Sequence, residues 1–292
     1  MATNFAYVPN TSPKFPKSLA EIPHPPAGLF VRGALPSVKM QSIAIVGTRR
    51  ATPHGSAIAK KFARELAECG FAVISGLAFG IDAAAHEGCL EAGGQTVAVL
   101  PCGIDRIYPR SHTRLAERII ACNGALVSEY PPDTEVLPYR FLERNRMVSG
   151  MAPATLVIEA PEKSGALATA RFAAEQSRDC LVIPGPVAHP NYVGSHELIR
   201  KGAQLVNSIN HILEAYGIEN HAANTDKNRH DAVTMSDDER KIFDAIKNGT
   251  TPLDVDKIAN ITKLQPQAVT RAATFLIMRR IIKEEAGGYV LH

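Results

Sequence analysis

The chain lacks any apolar run long enough to cross a membrane. A transmembrane helix needs roughly 18 or more consecutive apolar residues, and no segment of the 292-residue sequence approaches that length. The opening stretch, MATNFAYVPNTSPKFPKSL, also lacks the apolar core of a signal peptide. We therefore expect a cytosolic protein that makes no contact with a membrane.

Cysteines are few, and their spacing does not pair them. None of them forms a C-x-x-C motif, and each lies in or beside an apolar stretch. Closed structural zinc sites usually take four clustered ligands, so we expect these cysteines to be small buried hydrophobes, with no metal and no cofactor. They are Cys69, Cys89, Cys102, Cys122 and Cys180.

The sequence also has little net charge. Its 32 Lys and Arg residues against 29 Asp and Glu residues leave +3 at pH 7, so any binding of nucleic acid must come from local clusters of cations. The hydrophobic share of 45% and charged share of 21% are typical of a globular protein and exclude disordered and collagen-like classes.

Short apolar runs alternate with helical stretches from Ser42 onward. SIAIV, FAVIS and TVAVL are each followed by such a stretch, and further apolar runs cover residues 125–127, 154–158 and 180–183. Short continuous apolar runs indicate strands that are covered on both faces. We predict a Rossmann-like α/β domain over residues 42–216, with a doubly wound and mostly parallel sheet.

Three other segments complete the predicted organisation. Residues 1–41 are rich in proline and predict an extended lead-in that packs onto the sheet, whereas residues 217–234 lose apolar periodicity and predict a linker. Residues 235–292 predict three helices and a hairpin, in the manner of a small winged-helix domain. Nine Lys or Arg against eight Asp or Glu in that last segment favour contact with protein over contact with DNA.

The loop after the first strand of this sheet opens with Gly47, Thr48, Arg49 and Arg50. Ligands of α/β sheets bind beyond the C-terminal ends of the strands, but the spacing here is not the G-x-G-x-x-G of a dinucleotide fold. Guanidinium groups match the geometry of single phosphates. The loop therefore predicts binding of nucleic-acid phosphates; the alternative is that both arginines are solvated loop charges.

Three later loops reach the same predicted edge of the sheet. One has glycines whose N–H groups can form an anion-binding nest, one adds arginines, and one repeats the order strand, glycine, helix N-terminus. The candidate residues in these loops are Ser75, Gly76, Arg106, Arg110, Lys163, Ser164 and Gly165.

The segment 139–146 interleaves aromatic rings with cations. Aromatic side chains can stack bases while arginines hold the backbone, an arrangement expected of single-strand binding. The alternative is that Tyr139 or Phe141 fills the core. The candidates are Tyr139, Phe141, Arg144, Asn145 and Arg146.

Asp82 and His86 stand four residues apart on a predicted helix, which is the spacing of a catalytic dyad. The simpler interpretation is that Asp82 caps the helix and His86 tethers it. An enzyme that processes nucleoside monophosphates, with Asp82, His86 or Glu175 as catalytic groups, remains the alternative function. The missing P-G-G-x-G-T type of loop disfavours it, and the balanced charge of the last segment disfavours a duplex-binding transcription factor.

Taken together, seven segments resemble the DNA-processing protein A family, known as DprA or Smf. The similarity runs over residues 22–207 and extends to the C-terminal winged helix that many members carry. The segments are GTRRATPHG, SGLAFGIDAAAH, AVLPCGIDRIYPRSH, SEYPP, FLERNR, EAPEKSGALATARFAAE and VIPG.

The resemblance implies a single-stranded DNA-binding protein without catalytic activity. It implies a homodimer that protects incoming DNA and loads the recombinase RecA in natural transformation or recombination. The family's DNA-binding motifs fall on Gly47, Thr48, Arg49, Arg50, Ser75, Gly76, Arg110, Phe141, Arg144, Asn145 and Arg146, and more weakly on Lys163, Ser164 and Gly165. Leu142 and His112 depart from the family's proline and asparagine. From the length of the chain, we expect no helical domain of the kind that many members place first.

Overall fold

The structure, a computed structural model, describes residues 5–218, 236–249, 252–278, 281–285 and 287–291. The chain forms two compact units, residues 1–219 and 220–292. The predicted linker, residues 217–234, lies outside the described residues from position 219 onward.

A nine-stranded sheet forms the centre of the larger unit. Its strands are β1 (Ala6–Pro9), β2 (Gly28–Gly33), β3 (Ser42–Val46), β4 (Ala72–Ser75), β5 (Thr96–Val99), β6 (Ala125–Ser128), β7 (Ala154–Val157), β8 (Asp179–Val182) and β9 (Gln204–Leu205). They lie in the order β1-β2-β6-β5-β4-β3-β7-β8-β9. Strands β3 to β9 run parallel, with β1 and β2 antiparallel at one edge. The predicted mostly parallel sheet is confirmed.

The predicted lead-in, residues 1–41, is described from residue 5 onward, and it contributes two strands to this sheet. Strand β2 pairs with β6, and β1 pairs with β2. Between these two strands, Phe15, Leu19 and Ile22 are buried in the core. Because the segment is rich in proline, the six-residue strand β2 was not predicted from the sequence; its apolar side chains complete one face of the sheet.

Helices cover both faces of the sheet. Their bounds are α1 (Lys17–Ala20), α2 (Pro53–Glu68), α3 (Ile81–Glu91), α4 (Thr113–Ala121), α5 (Pro138–Gly150), α6 (Gly165–Glu175), α7 (Val193–Arg200) and α8 (Ile209–Ala215). Because side chains alternate along a strand, Ile43 and Ile45 pack with α2 and α3, whereas Ala44 and Val46 pack with α5 and α6. Burial on both faces explains the uninterrupted apolar runs of the strands.

Helix α2 begins shortly after the loop that carries Arg49 and Arg50. Thr52 is its N-cap, where its hydroxyl accepts a hydrogen bond from the N–H of Gly55 at 2.9 Å, and Pro53 opens the helix. Proline is favoured at this position because its missing N–H has no partner in the first turn. This start places the first turn of α2 at the C-terminal edge of the sheet.

The described residues of the smaller unit form three helices, Asp237–Lys247, Val255–Thr262 and Pro266–Met278, and an antiparallel hairpin. Ser236 and Glu239 form a reciprocal capping box at the first helix. The core of this unit includes Ile242, Ile258 and Leu276. Its identity as a winged helix stays a prediction. Among the described residues of both units, no helix combines the length and apolar character required to span a bilayer.

Candidate nucleic-acid interface

A cleft of about 510 Å³ opens at the C-terminal ends of the central strands. Strands β3 and β7 are neighbours there, and the chain leaves β3 toward β4 on one side and β7 toward β8 on the other. Ligands of open α/β sheets bind at such a change of direction. The walls are the loops after β3, β4 and β7, together with α5 and the start of α6.

Most of the predicted binding residues meet in this cleft. Those that line it are Gly47, Thr48, Arg49, Arg50, Gly76, Phe141, Arg144, Asn145, Lys163, Ser164 and Gly165. Their convergence follows from the parallel sheet, which places the loop after each strand at one edge.

The cleft lining does not include five predicted residues: Ser75, Arg106, Arg110, Tyr139 and Arg146. Ser75 is fully buried, and its hydroxyl donates to the carbonyl oxygen of Ile45 at 2.7 Å. Arg110 is exposed in a turn beyond β5. Arg146 forms an ion pair with Glu129 and donates to the carbonyl oxygen of His24 at 2.9 Å, which directs its guanidinium away from the cleft.

The backbone of the first loop is held rigidly while its cations remain exposed. The N–H of Thr48 donates to the carbonyl oxygen of Glu159 at 2.7 Å. The side-chain amide of Asn191 donates to the backbone carbonyl oxygen of Arg50 at 3.1 Å. A β-carbon at Gly47 would lie 2.5 Å from the side chain of Ile81. Glycine is therefore required here for close packing of the loop onto α3.

Arg49 and Phe141 form a cation–π pair inside the cleft. The guanidinium carbon of Arg49 lies 4.8 Å from the centroid of the Phe141 ring. Tyr108 meets the same ring edge-on, with centroids 5.3 Å apart. Phe141 therefore orients a cation as well as lining the cleft, and the predicted stacking of a base on this ring stays a prediction.

The cleft attracts anions because its exposed cations are not neutralised by the protein. Within the described residues, none of Arg49, Arg50 and Lys163 forms an ion pair with an acidic side chain. The N-terminus of α6 adds a partial positive charge beside Lys163. Ser164 caps that helix by accepting from the N–H of Ala166 at 3.2 Å.

Glu159 fills the position where a dinucleotide fold would hold phosphate, at the N-terminus of α2. Its carboxylate accepts from the N–H of Thr52 at 3.0 Å, from the Thr52 hydroxyl at 2.5 Å and from the side chain of Asn191 at 3.0 Å. Burial raises the pKa of Glu159, but these hydrogen bonds outweigh burial and lower the pKa overall. Glu159 is the first residue of one of the seven family-like segments, but no local pattern indicated this role, because Thr52 and Asn191 lie far from it along the chain.

Asp82 places its carboxylate against the backbone N–H groups of the loop after β4, which were predicted to bind an anion. Its carboxylate accepts from the N–H groups of Gly76 at 3.1 Å and Ala78 at 3.4 Å. The predicted nest of amides therefore holds a carboxylate of the protein itself. Burial raises the pKa of Asp82, and the nearby charge of Arg144 opposes that shift. The prediction that Asp82 caps α3 was wrong, because Gly80 is the N-cap and no side chain caps that helix.

Arg144 supports the cleft from beneath. It is 3% exposed, and its guanidinium donates to the carbonyl oxygens of Gly76 and Val99. Burial lowers the pKa of Arg144 to about 10, with Asp82 opposing the shift, so the group is charged at neutral pH. Direct contact between Arg144 and a phosphate stays a prediction, whereas its contact with the Gly76 loop is a feature of the fold.

His86 and Glu175 lie outside the cleft lining. Nδ1 of His86 is 2.7 Å from the Thr96 hydroxyl, so the histidine ties α3 to β5 as predicted. Burial lowers the pKa of His86 to about 3, which keeps the ring neutral. Glu175 is exposed in the last turn of α6.

These features define a Rossmann-like α/β protein with an anion-attracting cleft at the switch point of its sheet. The family model for DNA recombination-mediator protein A matches residues 6–217, and the chain belongs to this family. The match covers the larger unit, including strands β1 and β2, and confirms the resemblance drawn from the sequence motifs.

Curated relatives carry the names Smf and DprA. Protein Smf of Escherichia coli is 41% identical over 211 residues, which are 72% of this chain and 56% of the relative. The DNA processing protein DprA of Bacillus subtilis is 37% identical over 208 residues, covering 71% of this chain and 70% of the relative. The chain thus spans between half and two thirds of relatives such as the Escherichia coli protein.

Solved structures agree with the fold. DprA from Streptococcus pneumoniae superposes with a TM-score of 0.68 at 35% identity, over 72% of this chain and 74% of the other. DprA from Helicobacter pylori superposes with a TM-score of 0.65 at 32% identity, over 74% of this chain and 98% of the other. That structure was solved in a study of the protein's single-stranded DNA binding mode.

Proposed function

We propose that the cleft binds single-stranded DNA through its phosphate backbone. The observation that carries this proposal is the convergence of Arg49, Arg50 and Lys163, all exposed, on one cleft that also contains Phe141. Glu159 and Asp82 already occupy the backbone anion positions of two loops. The cleft therefore attracts phosphate through long side chains, which can follow a flexible strand.

Aromatic rings beside these cations favour a single strand over a duplex. Bases of a single strand can be splayed onto aromatic side chains, whereas those of a duplex are already stacked and paired. Phe141 and its neighbour Tyr108 provide such rings at the cleft. The single-stranded DNA binding of the related Helicobacter pylori protein supports the same ligand.

We further propose that the protein protects incoming single strands and loads RecA during natural transformation or recombination, acting as a homodimer and not as an enzyme. The family's description as a recombination mediator supports this role. A symmetric dimer would extend the binding surface along one strand. Sedimentation with and without an oligonucleotide tests the dimer, and formation of RecA filaments on coated DNA tests the loading.

The dependence of DNA binding on salt tests the cleft directly. Neutralising about three phosphates of a single strand gives a slope of log affinity against log salt near 2, at roughly 0.7 per phosphate. Fluorescence anisotropy with oligo-dT should show this slope, and Arg49→Ala should reduce it by about 0.7. Arg64→Ala, an exposed arginine of α2 outside the cleft lining, is the matched control. Equal binding by both variants would refute the proposed site.

The alternative, a nucleotide-processing enzyme, has weaker support from the geometry. Of Asp82, His86 and Glu175, only Asp82 lines the cleft, and its carboxylate is engaged by two backbone amides. His86 is fully buried, and Glu175 is exposed on the far end of α6. Release of free base from nucleoside monophosphates would revive the enzyme hypothesis.

A further inference from the structure

We propose that Phe79, paired with His112, is a second stacking site for an unpaired nucleobase, at the rim of the cleft. This inference rests on the proposed binding of single-stranded DNA and extends the path of the strand beyond Phe141. Phe79 was not among the residues singled out from the sequence. It lies in the loop between β4 and α3, one residue after Ala78, which lines the cleft.

The exposure of Phe79 is not explained by packing. Its side chain is 48% exposed, whereas Leu77 and Ile81 on either side of it are fully buried. Those two residues are sufficient to anchor the loop in the core. A large apolar ring left half in water is therefore available to a ligand.

The ring is held in place before any ligand arrives. The ring centroids of Phe79 and His112 are 4.8 Å apart at an interplanar angle of 69°. His112 is itself tethered, because its Nδ1 lies 2.9 Å from the carbonyl oxygen of Leu77. A preorganised ring loses little conformational entropy when a base stacks on it.

The site is continuous with the cleft. The N–H of Ile81 donates to the carbonyl oxygen of Thr48 at 3.2 Å. A β-carbon at Gly80 would lie 2.3 Å from that oxygen and 2.9 Å from the carbonyl oxygen of Arg49. The loop that carries Phe79 therefore touches the loop that carries the phosphate-binding arginines.

Charge at this rim favours a nucleic acid as the occupant. Arg49 belongs to the loop whose backbone touches Gly80, and Arg110 precedes His112 by two residues; both arginines are exposed. No ion pair of Arg110 with an acidic side chain is present in the part of the chain that the structure describes. An aromatic platform between cations is the arrangement that binds successive nucleotides of a single strand.

Tryptophan fluorescence provides the test, because the chain contains no tryptophan. Phe79→Trp introduces a single reporter into the full-length protein. Titration with oligo-dT should quench its emission, whereas an oligonucleotide of abasic residues should bind through phosphates with much less quenching. Tyr7→Trp is the matched control, since Tyr7 is 50% exposed on β1 and should report no quenching.

Affinity measurements complete the test. Phe79→Ala should weaken oligo-dT binding about tenfold with an unchanged salt slope, and Phe79→Tyr should restore affinity. If oligo-dT binds without quenching the emission of the Phe79→Trp variant, and Phe79→Ala binds like the wild type, the stacking site is refuted while the proposed function stands. Failure of the wild type to bind oligo-dT would overturn the proposed function and this inference with it.

Discussion

The guanidinium of Arg49 lies over the ring of Phe141, 4.8 Å from its centroid. This contact depends on the planar shape of the guanidinium as well as on its charge. Arg49→Lys keeps the charge and loses the stacking, so we expect affinity for oligo-dT to fall about three- to tenfold with an unchanged salt slope. Fluorescence anisotropy at several salt concentrations measures both quantities.

Arg50 provides the control for this substitution. It lines the same cleft, but no aromatic contact of its guanidinium is present among the described residues. Arg50→Lys should therefore change affinity less than Arg49→Lys. An equal loss in both variants would contradict a specific role for the stacked pair.

Removal of the Arg144 side chain should destabilise the protein far more than removal of the Arg49 side chain. Arg144→Met leaves the carbonyl oxygens of Gly76 and Val99 without their donor and removes the charge that most strongly opposes the effect of burial on Asp82. We expect the free energy of unfolding to fall by about 3 kcal/mol, measured by urea denaturation. Arg49→Ala should change it by less than about 0.5 kcal/mol, because the side chain is exposed. A stable Arg144→Met variant would refute the supporting role.

The convergence of the cleft residues was predictable from the sequence, because it follows from the alternation of short apolar runs with helical stretches. Once the apolar runs are assigned to parallel strands, the loops carrying Gly47 and Lys163 must meet at one edge. The antiparallel strand β2, which lies between β1 and β6, was not predicted, since its residues stand among prolines. A local pattern does not reveal a pairing partner far along the chain, as β6 is here.

The different orientations of the Arg144 and Arg146 side chains were not predictable from the sequence. Both are arginines of one helix, two residues apart, and successive helical residues turn by about 100°. One side chain therefore enters the core, while the other meets Glu129. Likewise, no local pattern pairs Glu159 with Thr52, and only the tertiary fold brings the Glu159 carboxylate to that residue. A sequence shows which side chains are charged, but it does not show where each side chain points or which group it pairs with.

Glu159 should stabilise the protein most strongly above its own pKa. Its pKa lies below the ordinary value of 4.5, so the stabilisation is present above that value and is lost as pH falls through the lowered pKa. Glu159→Gln should lower the free energy of unfolding by about 1–2 kcal/mol at pH 7. Thermal unfolding should show this difference shrinking toward pH 3. Glu68→Gln, at the exposed end of α2, should show no such dependence.

His86 should make the larger unit sensitive to acid. The Thr96 hydroxyl donates to the carbonyl oxygen of Val73 and so accepts from Nδ1–H of His86. The site of protonation is then the buried Nε2, which has no hydrogen-bond partner among the described residues. The pKa falls from 6.5 to about 3 on folding, so the unfolded chain binds the extra proton between these values.

Stability should therefore drop as pH falls below 6.5, by up to about 1.4 kcal/mol per pH unit. His86→Asn preserves a donor near Thr96 and removes the titration, so its melting temperature should depend less on pH between 6.5 and 4. His54→Asn, an exposed residue of α2, should keep the pH dependence of the wild type. If His86→Asn also keeps it, the buried histidine is not the titrating group.

The larger unit should bind single-stranded DNA by itself. All residues that line the cleft fall between Val46 and Thr169, and the smaller unit packs its core from its own residues, such as Ile242 and Leu276. A fragment of residues 1–218 should therefore bind oligo-dT within about twofold of the full chain, with the same salt slope. The near balance of charge in residues 235–292 supports this expectation. A tenfold loss of affinity in the fragment would instead assign DNA contacts to the smaller unit.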